Sequence, residues 1–374
     1  MSSLAWAFFA LPAAIPASIV GLNLLTWTRG RQGKPDGRLS VLIPARDEVD
    51  QIEHCVRAVL KGGVPLHEII VCDDGSTDGT TELLARLQSE LSLLRVISGV
   101  TMPEGWVGKV HAMHQLAAAA TGDLLLFVDA DVRVAPGGLQ LLCGLLPGAS
   151  VVTAVPRQEM PTAAEGLLMP LLHLSYVAWL PMLLIPLVQD PRVLAANGQV
   201  LLIRRTQLDA VGGMASIRSE VVDDMALCRQ VKSAGGRVIF ADGRDIATCR
   251  MYQSRAEVER GFSKNLYEGI GGSIPALVFV IALHLLFFVL PYVALILSPL
   301  WPAWAVPAAV GVGLNIALRL GMALRWGHPL WSVLAHPVGI IGLLRIAVRS
   351  AIWSRQGRIE WRGRTYAARA DRGP

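Results

Sequence analysis

Charge is scarce in this chain. Only 17% of its 374 residues are Asp, Glu, Lys or Arg, where soluble globular proteins carry about a quarter, and 53% are hydrophobic. That shortage excludes a disordered chain, a charged coiled coil and nucleic-acid binding by bulk charge. With a mean hydropathy of +0.47, it points to a protein that lives partly in lipid. Cysteine is scarce too: Cys55, Cys72, Cys143, Cys228 and Cys249 are an odd number, widely spaced, with no Cys-x-x-Cys and no histidine at zinc spacing. They read as buried free thiols of a reducing compartment, not as a disulfide framework or a zinc site. Acidic residues almost vanish from the C-terminal end. After Leu344, Arg345, Arg349, Arg355, Arg358, Arg362, Arg364, Arg369 and Arg372 face only Glu360 and Asp371. A basic end beside apolar segments reads as a cytoplasmic tail on anionic lipid, not as a nucleic-acid grip.

Long apolar runs are what the chain has instead. Leu4 to Trp27 is long enough to cross a hydrocarbon core of about 30 Å as a helix, and Arg29, Arg31, Lys34 and Arg38 follow it. The positive-inside rule then places the following residues in the cytoplasm. A signal peptide fits less well, because the run lacks a basic n-region and exceeds the usual h-region. Residues 1–28 are therefore expected to be a transmembrane anchor. Ser273 to Leu297 and Pro302 to Leu320 are expected to form a helical hairpin, within a membrane region of residues 273–352. A third run, Pro329 to Val348, precedes the basic tail of residues 353–374 and is expected to be re-entrant or surface-lying, since a full crossing would carry the arginines outside. Gly166 to Val188 is apolar but broken by Pro170, Pro181 and Pro186. Residues 166–189 are expected to lie at the membrane interface, with a buried core helix as the alternative.

Between the apolar ends the texture changes. Short β-branched or apolar runs (Leu39 to Pro44, Glu68 to Cys72, Leu93 to Ser98, Leu124 to Asp129, Val151 to Val155) alternate with helical patterns at Val49 to Leu60, Thr80 to Leu91 and Lys109 to Ala120. That alternation predicts an α/β, Rossmann-like nucleotide domain, a mostly parallel sheet covered on both faces. Ligands of such sheets bind at the carboxyl ends of the strands. Three acidic turns stand there: Pro44, Ala45, Arg46, Asp47, Glu48; then Asp73, Asp74, Gly75, Ser76, Thr77, Asp78; then Asp129, Ala130, Asp131. A single acidic turn is usually a helix cap. Three converging in a charge-poor protein call for a cation, and few carboxylates leaving room for water and phosphate suit Mg²⁺ or Mn²⁺ bound with a diphosphate.

The motifs VLIPARDE, VCDDGSTDGT and VDADV, in this order and spacing, resemble family 2 glycosyltransferases of the GT-A fold, over about residues 39–272. The resemblance implies a UDP-sugar donor. Asp73 and Asp74 would hold uracil and ribose, the loop of Pro44, Ala45, Arg46 and Glu48 would close over the base, and Asp129 and Asp131 would contact sugar and metal, Asp131 as the principal ligand. Lys109, in a Gly-Trp-Val-Gly-Lys loop, would meet a phosphate. GWVGKVHAM, RMYQ followed by GFSKN, and the closing RIEWRGRTY are similar to membrane glycosyltransferases of carotenoid biosynthesis, including the diaponeurosporenoate type. The implied partners are a lipid acceptor and the cytoplasmic membrane, with no nucleic acid. Other lipid acceptors (ceramide-like, hopanoid, polyprenyl phosphate) are the enzyme alternatives, and a non-catalytic scaffold is the other class.

An inverting transfer needs a base to take the acceptor's proton. In this family it stands in an acidic pair opening a helix, which maps to Asp224, with Asp223 as neighbour. Arg250 and Arg260 occupy the place of the family's Gln-x-x-Arg-Trp element and would serve the diphosphate, although Phe262 stands where tryptophan is usual. His111 and His114, at helical spacing without a third ligand, are expected to be helix-surface or loop contacts and not metal ligands.

Overall fold

The computed structural model describes residues 2–358, 360–361 and 364–365. Of the basic tail, Arg362, Arg369 and Arg372 lie outside the described residues, as does much of the closing RIEWRGRTY stretch. The N-terminus is helical from α1 (Ser2–Ala5) through a π turn at Trp6–Ala10 to α2 (Leu11–Thr26). The π turn directly precedes Pro12, whose ring and missing N–H disturb the carbonyls one turn earlier.

The α/β region then runs β1 (Leu39–Ala45), α3 (Ile52–Leu60), β2 (Glu68–Asp73), α4 (Thr80–Glu90), β3 (Leu94–Ser98), α5 (Gly108–Ala119), β4 (Leu124–Val128), β5 (Val132–Val134), α6 (Gly138–Cys143), β6 (Val151–Gln158), α7 (Ala163–Val177), β7 (Val200–Arg204), α8 (Arg205–Ala210), α9 (Asp223–Ser233) and β8 (Val238–Cys249). The eight strands form one sheet in the order β3-β2-β1-β4-β7-β6-β8-β5. From β3 to β4 all neighbours are parallel. Beyond β4 the sheet is mixed: β7 is antiparallel to β4 and β6, β6 is parallel to β8, and β5 is antiparallel to β8. The expectation of a mostly parallel sheet thus holds for the nucleotide half only.

Strand residues alternate between two cores. Val41, Ile43, Ile69 and Val71 join α3, α4 and α6 on one face. Leu42, Ile70, Leu125 and Phe127 join α5, α7 and α9 on the other, and that core continues without a break into the C-terminal apolar helices. Those helices are α10 (Arg255–Gly269), α11 (Ile274–Phe288), α12 (Leu290–Leu297), α13 (Ala305–Trp326), α14 (Trp331–Leu334) and α15 (His336–Arg355), followed by a short hairpin of β9 (Glu360–Trp361) and β10 (Arg364–Thr365). Among the described residues Ser3–Thr26, Pro302–Trp326 and His336–Arg355 are long and apolar enough to cross a membrane. The run Ser273 to Leu297 is delivered as two helices, α11 and α12, broken at Val289 just before Pro291.

The stretch expected to lie on the membrane, Gly166 to Val188, is corrected by the structure over its helical part. In α7 Gly166, Leu168, Met169, Pro170, Leu171, His173, Leu174 and Val177 are all buried, so no wide face is left for lipid. Its apolarity is that of a core helix, set between the sheet and α15. A capping box of Thr162 and Glu165 starts it, and Asn23 of α2 ends it, donating to the Val177 and Leu180 carbonyls at 2.8 Å.

Polar contacts at the start and middle of β8 fasten the apolar helices to the sheet. Buried Asp242 of β8 accepts from Arg325 Nη2 at 2.6 Å and Trp326 Nε1 at 3.3 Å. Trp27, at the end of α2, donates to the Phe240 carbonyl at 2.8 Å.

Candidate active site

The strand ends carry the acidic turns as the alternation requires. The first two loops are knitted together: Arg46 Nη1 donates to the Asp74 carbonyl at 2.6 Å, the Asp47 N–H to Ser76 Oγ at 3.0 Å, and the Thr77 N–H to Asp47 Oδ1 at 2.7 Å. Asp47 adopts a positive φ of 53°, a conformation aspartate tolerates because its side chain bonds nearby backbone. Beside them opens a hollow of about 420 Å³ lined by Asp74, Gly75, Gly99, Val100, Thr101 and Met102. Asp73 is engaged within its own loop. Its Oδ1 accepts from the Ser76 N–H and hydroxyl at 3.0 and 2.6 Å, and its Oδ2 from Thr81 at 2.5 Å, so it shapes the loop that presents Asp74. Pro44 and Ala45 are not loop residues. Both belong to β1, paired with Cys72 and Asp73, and both are buried.

The third turn meets the acidic helix start in one pocket. Lys109, in the first turn of α5, places Nζ 2.7 Å from Asp129 Oδ1 and 4.0 Å from Asp223 Oδ2. Asp223 and Asp224 open α9, where the helix N-terminus favours negative charge. Asp224 Oδ1 also accepts from the Met225 N–H at 2.7 Å. Gly198 borders the convergence. A Cβ there would lie 3.4 Å from Asp224 Cβ and 3.5 Å from Lys109 Nζ, so a larger side chain would fill the space between donor-side and acceptor-side carboxylates.

Crowding of like charges away from water sets the protonation behaviour. Burial, and then the neighbouring Asp129, push the Asp131 carboxyl up to about 6. Burial and Asp223 push Asp224 to about 6 as well. Burial works against the Lys109 ammonium, but Asp129, Asp223 and Asp224 outweigh it and hold its pKa above the ordinary lysine value. Lys264 of α10 faces the same carboxylates, yet burial and the charge of Lys109 bring it down to about 8.

Asp131 Oδ1 is buried and accepts no hydrogen bond, while the Cys249 thiol bonds the carboxylate. A buried carboxylate oxygen of that kind fits a hard cation. Among the described residues no three His, Cys, Asp or Glu side chains could hold a metal by themselves; Mg²⁺ or Mn²⁺ at Asp131, with Asp129 beside it, would need water and donor oxygens to complete its coordination. His111 and His114 take no part in this set. Both pack against the Trp106 ring, at 5.3 and 5.0 Å.

Two expected cations are elsewhere. Arg250 follows β8 but directs Nε to buried Glu165 at 3.4 Å, and Arg260 is exposed on α10 with no ion pair among the described residues. Lys264, one turn beyond Arg260, is the α10 cation that reaches the carboxylates. The sequence reading also missed a polar support behind the Asp-x-Asp turn. Gln199 Nε2 donates to Cys249 Sγ at 2.8 Å, Gln158 Nε2 donates to Gln199 Oε1 at 2.9 Å, and the Gln199 carbonyl holds the Asp129 N–H at 3.1 Å. Asn-Gly-Gln just ahead of the apolar run of β7 was the available signal, since polar residues introducing a buried strand need partners.

Comparison with known proteins agrees with this geometry. Residues 40–182 match the family described as glycosyl transferase family 2. Over 346 residues, 88% of this chain and 88% of the relative, the protein is 26% identical to the 4,4'-diaponeurosporenoate glycosyltransferase of Staphylococcus aureus strain USA300. It is 27% identical, at the same coverage, to the protein so named from strain MRSA252. Among solved structures, the mannosyltransferase PcManGT from Pyrobaculum calidifontis, in complex with GDP-Man and Mn²⁺, aligns with a TM-score of 0.52 at 18% identity, covering 93% of this chain and 98% of that one. At that identity the likeness is one of fold, the GT-A fold.

Proposed function

We propose that this chain, which carries a family 2 glycosyl transferase domain, is a membrane-anchored inverting glycosyltransferase that transfers glucose from UDP-glucose to a carotenoid-like lipid acceptor. The observation that carries the reading is the single pocket in which Lys109 lies 2.7 Å from Asp129 and 4.0 Å from Asp223, with Asp131, Asp224 and Lys264 around it. The similarity to a diaponeurosporenoate glycosyltransferase over 88% of both chains supports the acceptor class, and the basic residues after α2 support a cytoplasmic catalytic domain.

The uridine would occupy the hollow beside Asp74, under the loop that Arg46 and Asp47 tie down. The diphosphate would then point toward Asp129 and Asp131. Mg²⁺ or Mn²⁺ held at Asp131, with Asp129, would supply neutralisation of the leaving diphosphate's charge. Lys109 and Lys264 share that role, which the sequence reading gave to Lys109 with Arg250 or Arg260. On the other side of Lys109, Asp224 accepts the proton of an acceptor hydroxyl as its oxygen attacks the anomeric carbon in line with the departing UDP. A carboxyl raised to about 6 is ionised at neutral pH yet basic enough for that transfer. For a carboxylate acceptor, already ionised, Asp224 positions the nucleophile instead. Tyr176 of α7, bonded to Asn197 and electrostatically coupled to Asp224, forms part of the wall between this pocket and the apolar helices.

Detergent-solubilised protein given separate UDP-sugars and a lipid extract, with products identified by mass spectrometry, tests the reading. A hexosyl carotenoid formed from UDP-glucose is expected. A product made from a different nucleotide sugar, or on a ceramide, hopanoid or polyprenyl phosphate alone, would replace the donor or acceptor named here.

A further inference from the structure

Twelve buried side-chain N and O atoms lack a hydrogen-bond partner among the described residues, and seven of them share one neighbourhood outside the active site. They are Arg319 Nε and Nη1, Tyr292 OH, Asn315 Oδ1, His328 Nδ1 and both ring nitrogens of His336. Arg319 is 1% exposed. Its one described hydrogen bond runs to Ser332 Oγ at 3.2 Å, and among the described residues no carboxylate pairs with it. Ser332 stands four residues from both His328 and His336 in the chain, and the charge of Arg319 acts on Tyr292, His328 and His336, which puts these groups in its neighbourhood. A buried guanidinium with two unmet donors carries a desolvation cost that no carboxylate among the described residues offsets. Water could satisfy the donors but not the charge.

The position says what kind of anion could arrive. Arg319 stands about two turns, roughly 10 Å, before the end of α13, and that end is fastened to the α/β region through Arg325, Trp326 and Asp242. A crossing by α13 that starts at that attachment would put Arg319 near the depth where headgroups give way to acyl chains. His328 shares a 2.9 Å contact with His173 of α7. We propose that Arg319, with Tyr292 and His336, forms a binding site for an oxyanion, the phosphate of an anionic lipid headgroup or free inorganic phosphate. Two or three N–H and O–H donors converging on a permanent cation suit phosphate oxygens, and Arg in particular presents the paired donors that a phosphate accepts. The site is separate from the one that performs glycosyl transfer.

The test reads binding, not turnover, so its outcome is independent of the transferase reading. Full-length protein would be placed in nanodiscs of phosphatidylcholine alone or with phosphatidylglycerol, and its retained lipids counted by native mass spectrometry. Wild type is expected to keep phosphatidylglycerol through delipidation and to melt higher in the anionic discs. Arg319→Met should abolish both effects, and Tyr292→Phe should weaken retention about tenfold to a hundredfold, while Arg86→Ala, on the exposed face of α4, changes neither. An equal, Arg319-dependent rise in melting temperature from inorganic phosphate in lipid-free detergent would assign the site to free phosphate. The inference is overturned if Arg319→Met melts at or above wild type in both discs with lipid retention unchanged. Should that variant fail to fold, unchanged retention in both Tyr292→Phe and His336→Gln overturns it equally.

Discussion

Asp131 and Asp224 are alike in burial and in a carboxyl raised to about 6, but their surroundings separate their work. Asp131 has an oxygen with no partner, so activity should vanish in EDTA and return with Mg²⁺ or Mn²⁺, and Asp131→Ala should not be restored by either ion. Full activity of Asp131→Ala in chelator would remove the cation from the account. Asp224→Asn should lower kcat by about 10² to 10⁴ with UDP affinity nearly unchanged, because Asp224 stands across Lys109 from the nucleotide loops; a large loss of UDP binding with normal turnover would contradict it. The same carboxyl gives a pH signature of opposite sign in stability. Between its ordinary value of 3.8 and about 6 the folded protein holds a proton that the unfolded chain has released. Folding stability therefore falls as pH rises through that window, and the whole penalty is present above pH 6. Asp224→Asn should melt higher than wild type at pH 7, on the order of 1 kcal/mol, with the gap closing toward pH 4, while wild-type turnover rises across the same window. These acids were legible in the sequence because strand ends announce them. Lys264, Gly198 and Gln199 were not: each is a lone residue whose meaning comes from what another element brings to it.

At the scale of elements, periodicity located β1, α3, β2, α4, β3, α5 and β4 to within about three residues, because each buries one face and alternates accordingly. It passed over β8, whose middle carries Asp242, Gly243, Arg244 and Asp245 beside a register shift at Pro156 and Arg157. A polar stretch within a strand reads as a loop until its partners are known. It also misplaced α7, since a helix wrapped on all sides by apolar neighbours and one that rests on lipid have the same composition. Packing distinguishes them and gives a test. A Cβ on Gly166 would meet Trp331 Cζ2 at 2.8 Å and Pro329 Cγ at 3.1 Å, whereas one on Gly342 of α15 would meet only Leu168 Cδ2 at 3.5 Å. Gly166→Ala should therefore cost about 1 to 3 kcal/mol through overpacking. Gly342→Ala should be neutral or gain up to about 1 kcal/mol of helix propensity. Thermal melts in detergent separate the two; equal effects would mean that α7 and the α14–α15 corner are not packed as closely as the structure places them.

For the whole molecule, the decisive question is which helices cross. Trp27 and Trp326 meet edge to face at one end of α2 and α13, 5.6 Å between ring centroids, and Phe9 meets Trp304 at the other end at 5.3 Å. The two helices thus run side by side in the same direction, both ending at the α/β region, and α11 with α12 must carry the chain back between them. By the same reasoning α15 begins on the side where α13 ends. It packs on α11, where Leu277 clusters with Ala347 and Ala351 and Phe288 meets His336 at 5.2 Å between ring centroids, but its polar partners lie on α10: Arg349 Nη1 to Glu259 Oε2 at 2.8 Å, the Tyr267 N–H to Ser350 Oγ at 3.0 Å, and Ser354 Oγ to Glu268 Oε1 at 2.5 Å. α10 itself is turned 113° from α11. Length and apolarity alone would let α15 span, but its ion pairs would then have to be carried into hydrocarbon, which costs more than the exposed Val338, Ile341, Val348 and Ile352 could return. The expected outcome is that a cysteine at Arg358 and one at Leu187 label with an impermeant reagent only from the cytoplasmic side, and one at Leu300, in the turn before α13, only from the other. The five native cysteines are buried, which keeps the background low. Labelling of Arg358→Cys from the same side as Leu300→Cys would show that α15 crosses.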